Sequence, residues 1–520
     1  MRLQETFASD QIGFPVLTVL ILLPLLGAAI VAFMPDRRFA RAAALAVALV
    51  ELALAVVLLL AFTPGVSDVQ FAERMRWIET VGVQYHVGVD GISVLFIPLT
   101  AFIAVLVILF SWNSPRFMAK PYFVALLGLQ ATTIGIFASL DLVLFFVFWE
   151  LMLVPSYFLI KLWGGGPQRQ QAGLNYVMYM LVGSAPMLIA IVLLGANYRD
   201  ARAGGDAPFS FDLLTLLVTP VSSELQTLVF FLFAFAFAVK GPLVPFHTWM
   251  PSALVEGPIG IGMFLVGLKL GVYGFLRFAI PLAPDAAEQW SWLLLALGVL
   301  AVVYAALIAL LQRNLRRLLA FAGTSHVGLA LVGAFSLNVQ GIQGALFVML
   351  NAGLGATGLL LLAGFLHART GSSDLSRYGG LVRRLPLLTT FFFIIGLAAI
   401  GLPGTSGFVG EFLVLLGAFR THWVLAAVAV LAVILSASYF LSFYERAFLG
   451  PEVRPSTRTL HDLGAREAAM AAVVSAVILW AGLFPGPLLD ITRGSVEALT
   501  EHVERGAVVQ RAGDRYHARR

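Results

Sequence analysis

The sequence predicts an all-α polytopic membrane protein of about 14 transmembrane helices, and three observations lead there. Of its 520 residues, 60% are hydrophobic and only 12% are charged, about half the charge of an ordinary soluble domain. Apolar runs of about 18 to 25 residues recur from end to end, each long enough to cross a hydrocarbon core of about 30 Å as a helix. Because no water reaches that depth, only a helix or a closed barrel satisfies the backbone, and unbroken runs of this length fit helices.

The runs begin near residues 14, 42, 92, 121, 142, 174, 226, 258, 290, 318, 340, 387, 423 and 467. The longest gaps, 63–91 and 196–225, leave no room for a soluble domain. The first run lacks the basic start and small-residue cleavage site of a signal peptide, so it is expected to stay as a span. The expected organisation is 1–112, three helices with an external loop; 113–280, helices four to eight; 281–450, helices nine to thirteen; and 451–520, helix fourteen with a basic C-terminal tail.

One set of alternate loops and helix ends carries eighteen lysines and arginines, among them Arg37, Arg116, Arg313, Arg383, Arg454 and Arg458; the other carries seven, Arg2, Arg74, Arg76, Arg199, Arg202, Arg277 and Arg420. By the positive-inside rule the first set is cytoplasmic and both termini face outward. The tail's Arg505, Arg511, Arg515, Arg519 and Arg520 run against this trend; trailing the last span, they are expected to be loose or ordered on a partner.

With no cysteine there are no disulfides, thiolate metal sites, iron–sulfur clusters or cysteine nucleophiles in this chain. The eight histidines show no metal-like spacing. The net charge of +5 is spread over membrane loops, which speaks for membrane topology and not for nucleic acid.

Few ionisable residues remain at mid-membrane depth, where a charge costs about 3 kcal/mol on insertion scales. They are Glu150 in span five (FFVFWELMLVP), Lys240 in span seven (AVKGPLVPFHTW), Lys269 in span eight (VGLKLGVYG), His326 in span ten (GTSHVG) and Glu411 in span twelve (GTSGFVGEF). Each has a bland reading as a snorkelling or singly neutralised side chain. That reading is weakest for Glu150 and Lys269, about ten residues from either end of their spans. Glu51 in span two has no charged sequence neighbour and reads as structural or partner-facing.

Two spans are interrupted beside these charges. Pro242 and Pro245 follow Lys240, and Pro403, among glycines, precedes Glu411. Each proline removes a helix hydrogen bond, and backbone freed at mid-depth must line protein or water. The breaks lie five spans apart, an odd number, so spans four to eight and nine to thirteen read as an inverted repeat, each half with one broken helix. Carboxylates, lysines and a histidine in one row can relay protons, because their protonation states couple in low dielectric. The row could also serve Na⁺, although a sodium site wants several hard oxygens and the two lysines disfavour a resident cation.

The stretches YHVGVDGIS (85–93), FFVFWELMLVPSYFLI (145–160), FAVKGPLVPFHTWMP (237–251), KLGVYGFLRF (269–278), SHVGLALVGAFSLNVQGIQGALF (325–347) and GLPGTSGFVGEFLVLLGAF (401–419) resemble the NuoM-type antiporter-like subunits of respiratory complex I, in order, over about residues 10–480. The resemblance implies a proton-translocating subunit of a NADH:quinone oxidoreductase in a bacterial inner membrane. It implies neighbours among the other membrane subunits, including sister antiporter-like subunits, with FMN, iron–sulfur clusters and quinone held by partner subunits and no cofactor here. It gives Glu150 and Lys240 the role of a coupled pair, Lys269 the link to the central axis, Glu411 the exit, and His247 and His326 connecting positions.

The family pattern also leads one to expect an Asp-Ala-His type sequence where Ser252, Ala253 and Leu254 stand, about two more residues between Pro258 and Lys269, a histidine at Asn351 and a lysine at Asn175. Asparagine orders water but takes up no proton near neutral pH. The chain therefore resembles a divergent member. Two other readings stay open: a subunit of an Mrp-type cation/proton antiporter, membrane-bound hydrogenase or inorganic-carbon uptake complex, and a non-conducting structural subunit. No nucleotide-binding glycine loop or catalytic triad is present.

Overall fold

A computed structural model describes residues 1, 3–114, 117–201, 208–451 and 460–517, with side chains described except at 432 and 506–517. Arg2, Arg116, Arg202, Arg454, Arg458, Arg519 and Arg520 lie outside the described residues, as do the side chains of Arg511 and Arg515.

Among the described residues, thirteen helices are long and apolar enough to span a membrane: Val16–Phe33, Arg37–Ala61, Phe96–Asn113, Ala119–Ala138, Leu142–Trp163, Arg169–Ala201, Ser223–Lys240, Ile259–Leu282, Ser291–Leu310, Leu315–Ala334, Val339–Thr370, Trp423–Leu449 and Ala465–Leu483. The remaining expected span, the twelfth, is two shorter helices, Pro386–Ala399 and Ser406–Thr421, on either side of Pro403. All fourteen runs therefore form helix, numbered below in chain order. Polar residues at their starts satisfy orphan amides: Asp141 caps span five at Val143 and Leu144, Asn314 caps span ten at Arg316 and Arg317, and Asn338 caps span eleven at Gly341.

The gap at 63–91 holds a structure that length alone hid. Strands β2 (Val69–Ile78) and β3 (Val83–Val89) pair antiparallel, and β1 (Glu5–Phe7) adds in parallel to β2. Charges fasten this sheet to the helices. His86 Nδ1 lies 2.6 Å from Asp212 Oδ1, and Arg74 Nη2 lies 3.1 Å from Asp212 Oδ2. Burial alone would raise the Asp212 carboxyl, but the hydrogen bonds of His86 and Thr215 and the charges of His86 and Arg74 hold it below the usual carboxylate range.

Inside the membrane the structure corrects one of the charge assignments. Arg277 was counted with the outer loops and helix ends, yet it is 3% exposed within span eight, its Nη1 2.6 Å from Asp90 Oδ2. Asp90 also accepts from the amides of Ile92 and Ser93 at the turn into span three. Breaking a buried pair by removing one partner costs about 3–5 kcal/mol. Asp90→Ala is therefore expected to lower the thermal unfolding midpoint of the detergent-purified subunit, whereas Asp90→Glu should recover part of the loss.

Glu51 is likewise fully buried, on an alanine stripe (Ala40, Ala44, Ala48, Ala55) of span two, with neither carboxylate oxygen hydrogen-bonded to described protein atoms. It does not face a partner. The C-terminal tail, expected to be loose or held by a partner, forms a helix over Gly486–His517. Leu488, Thr492, Val496, Leu499 and Val503 recur at three- and four-residue steps and are buried on this chain. The helix packs back on the bundle: Ser495 Oγ accepts from Gly91 N, Gln343 Nε2 donates to the Leu489 carbonyl, and His502 reaches Met1 N and the Pro281 carbonyl.

Candidate proton-translocation site

Glu150 sits near the end of the first part of span five, Leu142–Leu151; a turn at Met152 separates it from Leu153–Trp163. Pro155 has no N–H to return to the Leu151 carbonyl, which accounts for the irregular turn there. Glu150 is only half-buried, at the margin of the chain, with Oε1 buried and lacking a hydrogen-bond partner among the described atoms.

Lys240 is the last residue of its helix, and the break expected from Pro242 and Pro245 follows at once. Its Nζ has no hydrogen-bond partner and lies 4.8 Å over the Trp149 ring, close enough to Glu150 for their charges to interact without an ion-pair contact. Trp149, next to Glu150 in sequence, is thus a site residue that counting charges misses.

Lys269 occupies a second break, which carries no proline. Span eight divides into Ile259–Gly267 and Leu270–Gly274, and Lys269 between them adopts φ +43°. A non-glycine residue held there stores about 1–3 kcal/mol of strain. The break brings the backbones of spans seven and eight together: a Cβ at Gly271 would lie 2.5 Å from Gly241 Cα, so only glycine fits. Met152, Lys240, Trp249, Lys269 and Val327 line a cavity of ≈ 10 Å³ between the two breaks, room for about one water. The lysines of spans seven and eight therefore share one small pocket.

From this pocket the row continues into the second half. Lys269 Nζ donates to the Gly323 carbonyl of span ten at 2.9 Å, and His326, one turn further along, is within electrostatic range of Lys269. His326 Nε2 lies 3.2 Å from the Ala399 carbonyl, at the end of the first segment of span twelve. Asn351 joins both segments of that broken span: its Nδ2 donates to the Ala398 carbonyl and its Oδ1 accepts from Ser406 Oγ, at 3.3 and 2.8 Å. A π-helical turn, Ala352–Ala356, follows it directly. Asparagine is suited to this staple because it both donates and accepts at fixed positions.

A second cavity, ≈ 20 Å³, is lined by Gly323, His326, Asn351 and Tyr439. Beyond it lies Glu411, 7% exposed, within electrostatic range of Tyr439. Its carboxylate packs against Gly401, where φ is +68° and a Cβ would lie 2.2 Å from Oε2. Glycine is thus required twice over beside the helix break.

The structure brings Glu150, Lys240, Lys269, His326 and Glu411 into one sequence of neighbours, together with Trp149, Asn351, Ser406 and Tyr439. His247 is not among them. Its ring packs on Tyr304 and Phe321 at centroid distances of 5.4 and 6.0 Å, and it lines neither cavity. Asn175 is half-buried and accepts from Gln171 at 2.8 Å, a local helix-surface contact. Ser252, Ala253 and Leu254 lie in the helix Trp249–Glu256 after the break. The Gly257 carbonyl beyond it accepts from buried Arg316 Nη2, which anchors the start of span eight.

A polytopic helical bundle with paired broken helices and a row of buried charges across both halves defines a membrane subunit of the antiporter-like class. Residues 139–436 match the family described as "NADH:quinone oxidoreductase/Mrp antiporter, TM". The NADH-quinone oxidoreductase subunit M of Rhodobacter capsulatus is 38% identical over 509 residues, 95% of this chain and 98% of that one. A chain of respiratory complex I from Thermus thermophilus superposes with a TM-score of 0.85 at 34% identity, covering 94% of this chain and 99% of that one. A chain of the Mrp complex of a Dietzia species has a TM-score of 0.81 at 23% identity, covering 95% and 99%, a likeness of fold alone. The chain belongs to the NADH-quinone oxidoreductase subunit M family.

Proposed function

We propose that this chain translocates protons as a membrane subunit of a complex I-type NADH:quinone oxidoreductase, with FMN, iron–sulfur clusters and quinone in partner subunits. The observation that carries the reading is the row Glu150, Lys240, Lys269, His326, Glu411, linked by two cavities of about one water each and crossed by a helix break at Lys240, Lys269 and Pro403. In this reading Glu150 and Lys240 exchange protonation states as a coupled pair, and Lys269 passes the change to His326 through the Gly323 turn. Asn351 and Ser406 order water at the second broken helix, and Glu411 releases or accepts the proton at the far end.

The row holds two lysines and no cluster of hard oxygens, which supports H⁺ over Na⁺ as the ion. The loops richer in arginine then face the cytoplasm of a bacterial inner membrane, with both termini outside. The residue divisions 113–280 and 281–450 are proposed as the two inverted units. His247, just after the break that follows Lys240, is proposed in the connecting position that the resemblance implies.

Purification of the tagged chain from its native membrane is expected to bring with it iron–sulfur and quinone-site subunits. The reconstituted assembly should acidify vesicles on NADH addition, with or without Na⁺. A strict need for Na⁺, or a co-purifying set with no redox subunit, would replace this reading by an Mrp-type antiporter.

A further inference from the structure

The lateral surface carries an apolar groove that the proton row does not use. It encloses ≈ 480 Å³ between spans one, four and five, with Leu25, Pro121, Gly128, Phe148, Leu151 and Phe158 in its walls. The groove is open sideways: Leu25, Leu151 and Phe158 are each more than two-fifths exposed. Gly128 contributes a gap, since a Cβ there would meet nothing within 4 Å.

Length and charge identify the occupant. On span four the lining runs from Pro121 to Thr132, about 16 Å at 1.5 Å per residue. That matches one leaflet, half of a core about 30 Å thick. The mouth lies on the arginine-rich side, where Lys120 precedes Pro121 and Lys161 precedes the lining residue Leu162. Lys120 Nζ uses one donor on the Met34 carbonyl and Lys161 Nζ one on Tyr157 Oη, so each retains donors for an anion. Trp163, with Nε1 on the Phe117 carbonyl, stands at the same level, as interfacial tryptophans do.

We propose that this groove is a phospholipid site: an acyl chain of the leaflet on the arginine-rich side lies between spans four and five, and its anionic headgroup rests on Lys120 and Lys161. Phe148 and Leu151 flank Glu150 in sequence, so the chain closes the lipid side of the helix that carries the first member of the row.

The test uses the intact complex in nanodiscs with phosphatidylglycerol carrying a mid-chain diazirine, and phosphatidylcholine with the same tail. Label is expected to concentrate on peptides covering 121–132 and 148–163. Gly128→Trp, which fills the gap, should lower that label by about ten-fold. Lys120→Gln and Lys161→Gln should each reduce the preference for phosphatidylglycerol by about five-fold. If Gly128→Trp fails to assemble, Val124→Trp on the same wall serves in its place. Even labelling of all lipid-facing helices, unchanged by either tryptophan, would overturn the site. So would capture of a neighbouring subunit's peptide by a photoreactive residue in place of Leu151.

Discussion

Glu150→Gln and Lys240→Ala are each expected to reduce proton pumping by roughly 100-fold while the complex still assembles, because a positioned acid or base contributes about 10²–10⁴ to a proton-transfer rate. The physical reason lies in the spacing of the pair. Lys240 Nζ has no hydrogen-bond partner among the described atoms and rests over Trp149, with Glu150 in range but out of contact. Neither charge is locked by the other, so a change at one can move the protonation of the other. The glutamine keeps the size of Glu150 and removes only its ability to titrate. Proton flux in reconstituted vesicles, with assembly followed by native gel, decides the matter. Normal flux in both variants would mean that the pair is structural.

Lys269→Met is expected to produce a loss of similar size, and Lys269→Arg should rescue little of it. Lys269 stands between the two cavities and is the group that joins the halves, through the Gly323 carbonyl at 2.9 Å. Methionine keeps the length of the side chain without its charge. Arginine keeps the charge but does not release a proton in a protein. A fixed-charge role predicts that the arginine variant pumps and a relay role predicts that it does not, so the two substitutions together separate them. Proton-to-electron stoichiometry is the measurement, since a severed relay lowers it while electron transfer continues.

The helices and the row's members were legible in the sequence because both depend on local chemistry. A 20-residue apolar run crosses a membrane wherever it occurs, a proline breaks its own turn, and a charge amid leucines is conspicuous by its cost. The resemblance supplied roles for Glu150, Lys240, Lys269 and Glu411, and the fold sets these four in sequence. Less visible were features that depend on what another span places opposite. The break at Lys269 has no proline to announce it, and only the fold shows Gly241 against Gly271 beside it. Tyr439 reads as one more aromatic in a greasy helix until Glu411 lies nearby.

Arg277 and His247 show the same limit from the other side. Arg277 looked like a helix-end arginine because nothing within span eight reveals Asp90, 187 positions away, 2.6 Å from its guanidinium. His247 follows the proline break directly, and only the fold shows its ring packed on Tyr304 and Phe321.

By itself the sequence determined the membrane class, the number of spans, two of the helix breaks and the five titratable groups within the spans, since each follows from hydrophobic length, proline geometry or the cost of placing charge in a membrane. Only the tertiary structure decided which of those groups are neighbours: that Lys240 and Lys269 share a pocket, that Asn351 staples a broken helix, that His247 packs on Tyr304 and Phe321, and that the C-terminal helix packs back on its own chain. Those relations are set by packing between segments far apart in the chain, and local chemistry carries no record of what will lie across the interface.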